Sequence, residues 1–209
     1  KLGTLSSVLG ANQAFINKDV GNGNISWRWL QTTNDKVFFG LSSTGTTGTA
    51  LGGGTSNTAL TTGVWTHVAV AYYAAGGTAL FYKDGTIDGT YSGGTIFSIF
   101  DGTAPLQIGA ADGLPSPSSY AVALIDEARV WATSRSGAQI SANYLAEIGT
   151  QTNLNAYYQL NNVYTDLTAN ANNLTAVNSP TFSTDTPFGG GFSGLQSKLK
   201  LCQFILSFN

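Results

Sequence analysis

One cysteine, Cys202, one histidine, His67, and no methionine occur in the 209 residues. A lone cysteine excludes an internal disulfide, so packing, helped at most by a bound ion, must hold the fold together. A lone histidine excludes a multi-histidine metal centre and leaves any Ser/His triad resting on a single side chain. Charge is scarce as well: only 10% of the residues are Asp, Glu, Lys or Arg, and the formal net charge is −2. The few cations are scattered rather than gathered into the basic stripe that a phosphate backbone requires, which argues against a nucleic-acid partner. No apolar run approaches the ~20 residues of a membrane-spanning helix, no charged-then-apolar leader opens the chain, and no phosphate-cradling G-x-x-x-x-G-K-[ST] or internal repeat is present. Without a methionine the chain is expected to be a fragment, a processed product or part of something longer.

What the chain has is glycine, 26 residues of it, with Thr, Ser and Asn, the residues of turns and exposed strand faces. A length of 209 residues suits one large all-β domain, which reaches this size without dividing. The most informative stretch is 63–73, read as a strand packed on both sides: Val64, Val68, Val70 and Tyr72 fall on one face, Trp65, His67, Ala69 and Tyr73 on the other. Leu80, Phe81, Tyr82 and Lys83 follow and run into Asp84-Gly85, a pair suited to the positive φ angles of a type I′ hairpin turn. Upstream, 13–16, 25–30 and 36–41 read as three strands, and 44–58 as a Gly/Thr surface loop. Residues 95–100 are apolar and read as a strand or short helix, and 114–119 as an irregular loop. Ser136 and Gln139 form an S-x-x-Q capping box, with Ile140 and Tyr144 one turn apart on the helix it would start.

The wording G-x-W-x-H-V-A-V-x-Y at 63–72 followed by L-x-Y-x-D-G at 80–85 resembles the laminin G-like modules of the concanavalin A-like lectin and glucanase superfamily. The run from Ile125 to Trp131, Ile-Asp-Glu-Ala-Arg-Val-Trp, is similar to that family's I-D-E-V-R-I-W motif. The segments 105–110, 154–160 and 166–174 resemble its I-G-x strand, its L-V-A-Y-W-x-L strand and its D-x-S-G-N-G-N loop. The resemblance implies an antiparallel β-sandwich of the laminin G-like jelly-roll type over residues 1–188, with one short helix near 136–147. It also implies that Lys1 to Thr4 close a segment whose preceding strand or strands are missing. Residues 189–209 are expected to be a Gly linker and a β-prone tail: a linker with part of an adjoining element, or a strand that pairs with the open edge in its own or a neighbouring chain.

Catalysis in the glucanase relatives needs two carboxylates facing one substrate, and their E-x-D-x-x-E type of motif is absent. Asp126 and Glu127 are adjacent, so on a strand they point to opposite faces and cannot flank one glycosidic bond. Glu127 and Arg129 share a face, where an ion pair is expected. A non-enzyme is therefore anticipated: a surface-exposed module for adhesion, glycan binding or assembly in a bacterial surface protein or a virion, extracellular, meeting cell-surface glycan or other virion or surface proteins, with a homo-oligomer possible through the tail. Glycan contacts would come from Trp27 and Trp29, which share a strand face, and from Tyr91 and Tyr120 near loops, since aromatic faces stack on sugar rings. Relatives often hold calcium, and two loops offer oxygen ligands for it, Asp19 with Asn22 and Asn24, and Asp166 with Asn170 and Asn172. The competing readings are core aromatics and ordinary turn formers.

Overall fold

The computed structural model describes residues 1–21, 23–46, 51–92, 98–111 and 119–187, with the backbone alone at 51 and 52. The expectations for Asn22, for the first part of 95–100, for most of 114–119 and for the 189–209 tail lie outside the described residues.

The described strands pair as antiparallel ladders, as the alternation in the sequence dictates. Strands β1 (Gln13–Asp19), β2 (Ile25–Gln31), β3 (Lys36–Gly45), β4 (Leu51–Ala59) and β8 (Leu106–Ile108) make one sheet in the order β4-β3-β2-β1-β8. Facing it are a three-stranded meander, β5 (Val68–Tyr73), β6 (Thr78–Lys83) and β7 (Thr86–Tyr91), and a pair formed by β9 (Ala128–Trp131) and β10 (Leu154–Tyr158). Ile16, Trp27, Trp29, Phe39 and Leu41 from the first layer and Val70, Tyr72, Phe81, Ala128 and Tyr158 from the second form one core cluster. The ring of Phe39 lies 6.1 Å from that of Tyr72 across the layers. This is a β-sandwich, with the apolar face of each sheet buried against the other.

The two-sided pattern of β5 is explained by a second cluster behind it. Ala69, Ala71 and Tyr82 pack with Trp131, Tyr157 and Ile140, and Ile140 belongs to α2 (Gly137–Asn143). The capping box that begins this helix is present in both directions, Ser136 Oγ accepting from Gln139 N–H and Gln139 Oε1 accepting from Ser136 N–H. A single further turn, α1 (Ser6–Leu9), precedes β1. Asp84 and Gly85 have φ angles of 49° and 76°, as the hairpin requires. The Tyr144 ring sits where a Cβ on Gly85 would be, at 2.7 Å, so glycine also admits the aromatic from beyond α2.

Two expectations are corrected. The strand predicted at 63–73 begins only at Val68, because Gly63 takes a positive φ of 76° and its N–H bonds to Leu2 O rather than to a ladder partner. The loop predicted at 44–58 is largely strand: β3 extends to Gly45, and Leu51 to Ala59 form β4. Its glycines serve close approach, since a Cβ on Gly53 would lie 2.1 Å from Phe39 O and one on Gly54 would meet Tyr91 at 2.7 Å. Tertiary packing thus overrides weak strand propensity. At this edge Asp88 on β7 accepts from Thr58 N–H and Oγ1–H on β4 at 3.2 and 2.8 Å, tying the layers together.

Candidate functional site

The structure moves most of the expected sugar-contacting residues into the core. Trp27 and Trp29 are 3% and 0% exposed. Their shared face is the inner one, where Trp29 meets Phe15 edge-on at 5.9 Å, so neither ring can stack on a ligand. Tyr91 is half-buried against the core and Gly54. Tyr120 alone of the four is exposed, at 48%.

Tyr120 stands on a groove of about 600 Å³. One wall is the edge strand β8 with the residues after it, a second is the 120–126 segment, and the third is the irregular run 160–186. That run carries no ladder but is pinned to the sandwich. The carboxylate of Asp166 accepts from Tyr157 N–H and Thr168 N–H at Oδ1 and from Thr168 Oγ1–H and Asn172 N–H at Oδ2, each at 3.0 Å. Tyr158 OH donates to Asn172 O at 2.7 Å. Further along, the rings of Tyr164 and Phe182 stand 4.7 Å apart, and Asn178 donates to Tyr120 OH at 2.7 Å. Trp65 comes from the non-ladder residues before β5 and donates through Nε1 to Asp185 at 2.9 Å, with Lys1 ion-paired to the same carboxylate. These two partners hold Asp185 below the usual carboxylate range. Sequence reasoning missed Trp65, Tyr164, Asn178 and Phe182 as site residues; only the Trp65 position stood out, as part of a motif.

The two adjacent carboxylates diverge. Glu127, in a left-handed conformation at φ 55°, turns inward, where Oε2 accepts from Arg129 Nη2 and Tyr157 OH, both at 2.6 Å. Arg129 continues to Asn143 O and Ala146 O at 3.3 and 2.5 Å, binding the end of the helical segment to β9. The ion pair expected of Glu127 and Arg129 is thus present, with both side chains almost wholly buried. Burial is the chief cause raising Glu127, opposed by the bonds from Tyr157 and Arg129. Asp126 instead lines the groove. Burial, then the negative charge of Glu127, push its carboxyl up to about 7. The histidine, His67, is buried; its backbone N–H donates to Asp84 Oδ1 at 3.1 Å and its carbonyl accepts from Asp84 N–H at 2.9 Å, and its ring packs edge-on against Tyr144 at 5.6 Å.

Of the described members of the expected calcium loops, Asp19, Asn24 and Asp166 accept from protein donors. Asp19 is ion-paired with Arg28 and accepts from Gly21 N–H at 2.8 Å. Asn24 bonds Thr103 and Ala104, Asn170 donates to Asn155 O at 2.8 Å, and both Asp166 oxygens accept, from Tyr157 on β10 and from Thr168 and Asn172 in the loop. Among the described residues no three of His, Cys, Asp and Glu gather as a metal cluster. To ligate calcium, the Asp19 and Asp166 carboxylates would have to give up bonds that shape the loops.

Comparison with known proteins agrees with the architecture. A family model of the concanavalin A-like lectin/glucanases superfamily, of laminin G type, matches residues 4–141. No curated protein matches. Among solved structures, a Bacteroides ovatus protein named for an inferred carbohydrate binding superposes with a TM-score of 0.56 at 19% identity, over 71% of this chain and 41% of that one. An S-layer domain-containing protein from Clostridium thermocellum gives a TM-score of 0.34 at 27% identity, over 62% of this chain and 61% of the other. The chain therefore spans less than two thirds of either solved relative's length. The likeness to the first is one of fold alone. Because the family model runs through both layers of the sandwich and into the helix behind it, this chain belongs to the concanavalin A-like lectin/glucanases superfamily.

Proposed function

We propose that this protein is a non-catalytic glycan-binding module, displayed outside the cell on a bacterial surface protein or a virion, and that the groove is its binding site. The observation that carries the reading is the groove itself: aromatic side chains, Tyr120, Trp65 and Phe182, stand beside hydrogen-bonding groups from Asn178, Gln107 and Asp126 in one concavity. Apolar ring faces with a few convergent polar groups are what a sugar, apolar on its ring faces and polar at its rim, requires. Membership of a superfamily that contains lectins supports the reading, as does the name given to the Bacteroides ovatus relative. The absence of glycoside hydrolysis is supported by the divergence of Asp126 and Glu127, of which only Asp126 faces the groove, and by the engagement of the second groove carboxylate, Asp185, with Lys1 and the Trp65 indole.

Isothermal titration calorimetry against a panel of neutral oligosaccharides tests this, with Tyr120→Ala as the control. A stacked ring contributes about 1 kcal/mol, so the variant should bind roughly fivefold more weakly with an unchanged melting temperature. No heat from any oligosaccharide, or equal affinity in the variant, would remove the groove as the glycan site.

A further inference from the structure

We propose that the groove contains an ammonium-recognising position at Asp126, and that its ligand is a glycan bearing free amino groups. This rests on the groove being the glycan site and goes beyond it by specifying the ligand's charge.

The charged side chains lining the groove are Asp126 and Asp185, and no Lys, Arg or His lines it among the described residues. Asp185 is already neutralised, by Lys1 and the Trp65 indole N–H. Asp126 is not. It is 5% exposed and accepts a single hydrogen bond among the described residues, from Glu127 N–H to Oδ1 at 3.0 Å, so Oδ2 has no protein donor. The cation closest in sequence, Arg129, is committed to Glu127, Asn143 O and Ala146 O. The other charges that act on Asp126 are Glu127 and Glu147, both of like sign, and weakly the chain's α-amino group, which is bonded to Leu124 O.

A buried carboxyl with like-charged neighbours and no cation bonded to it is costly when ionised and is held near neutrality instead. A ligand ammonium removes that cost, and its bond to a carboxylate is roughly twice as strong as a neutral one. A sugar hydroxyl could donate to Oδ2 as well but offers no charge. A uronate or sulfate would set a negative group against Asp126 and oppose its ionisation further. On β8, Gln107 also keeps Oε1 buried without a donor among the described residues, so this wall holds a second unfilled acceptor. Affinity should therefore fall in the order amino sugar, neutral sugar, acidic sugar.

The test compares three probes by calorimetry at pH 7: a glucosamine tetramer, its fully N-acetylated counterpart and a uronic acid tetramer, each with wild type and Asp126→Asn. The amide keeps the side chain's size and its acceptor toward Glu127 N–H, so folding is preserved and is checked by thermal melting. The expected result is at least tenfold tighter binding of the glucosamine tetramer than of the N-acetylated one, a preference that shrinks to about twofold or less in Asp126→Asn. Equal binding of the two by wild type overturns the ammonium position and leaves the glycan groove standing. A preference that survives in Asp126→Asn places the ammonium elsewhere and also overturns it. Binding of none of the three removes the glycan reading and this inference with it.

Discussion

Asp126→Asn should stabilise the protein at alkaline pH and leave it unchanged in acid. The folded carboxyl titrates at about 7, against 3.8 for an ordinary aspartate. The folded chain therefore holds a proton that the unfolded chain has released. A raised carboxyl contributes fully below the unfolded value, so wild type loses stability as pH climbs from about 4 to about 7 and loses no more above that. The gap is about three units at roughly 1.4 kcal/mol each, an upper bound of about 4 kcal/mol. Water at the groove mouth screens part of this, and about half, ~2 kcal/mol, is expected. For a chain of this size that corresponds to a gain of roughly 4–8 °C in melting temperature at pH 8. Differential scanning fluorimetry of both proteins in half-unit steps from pH 4 to pH 8 reads it directly. Taking the difference between the two proteins cancels the titrations of groups that do not interact with Asp126; Glu127, whose charge acts on Asp126, shifts with it. Melting curves separated by the same amount at every pH, or wild type more stable at pH 8, would refute the claim that Asp126 is buried without a cation bonded to it.

Other perturbations probe the scaffold. Arg129→Met leaves Glu127 ionisable and buried without its partner, and should cost about 3–5 kcal/mol in urea unfolding; a loss below 1 kcal/mol would show that the pair does not hold the helix. Trp29→Ala empties a fully buried site and should cost about 3–5 kcal/mol, whereas Trp65→Ala, at the groove, should cost far less. Chelation with EDTA should leave the melting temperature within about 1 °C of its starting value; a fall that calcium reverses would place an ion in the Asp19 or Asp166 loop after all.

Features governed by neighbouring residues were legible in the sequence. The Asp84-Gly85 turn, the Ser136 capping box and the two-sided burial of β5 each follow from local backbone rules or a short periodic pattern. The strand at β4 was not legible, because Gly53 and Gly54 lack side chains for reasons set by Phe39 O and the Tyr91 ring, which lie on other strands. Trp27 and Trp29 were placed correctly on one face of β2. Alternation alone does not say whether that face is inner or outer, and it is the inner one. The groove was the least legible part. Its third wall, 160–186, has no periodicity, and side chains as distant in sequence as Trp65 and Asp185 meet only through the fold. Asp126 was visible within its motif, but the turn at Glu127 that sends the two carboxylates apart is a backbone conformation that residue types do not announce.

The central claim is most directly tested on the indole N–H resonances of the four tryptophans. In a ¹⁵N-labelled sample titrated with a binding oligosaccharide, the account predicts that the Trp65 signal, at the groove, moves with saturable amplitude while those of Trp27, Trp29 and Trp131, buried in the sandwich, stay in place. Saturable movement of the Trp27 or Trp29 signal with Trp65 unmoved would contradict it.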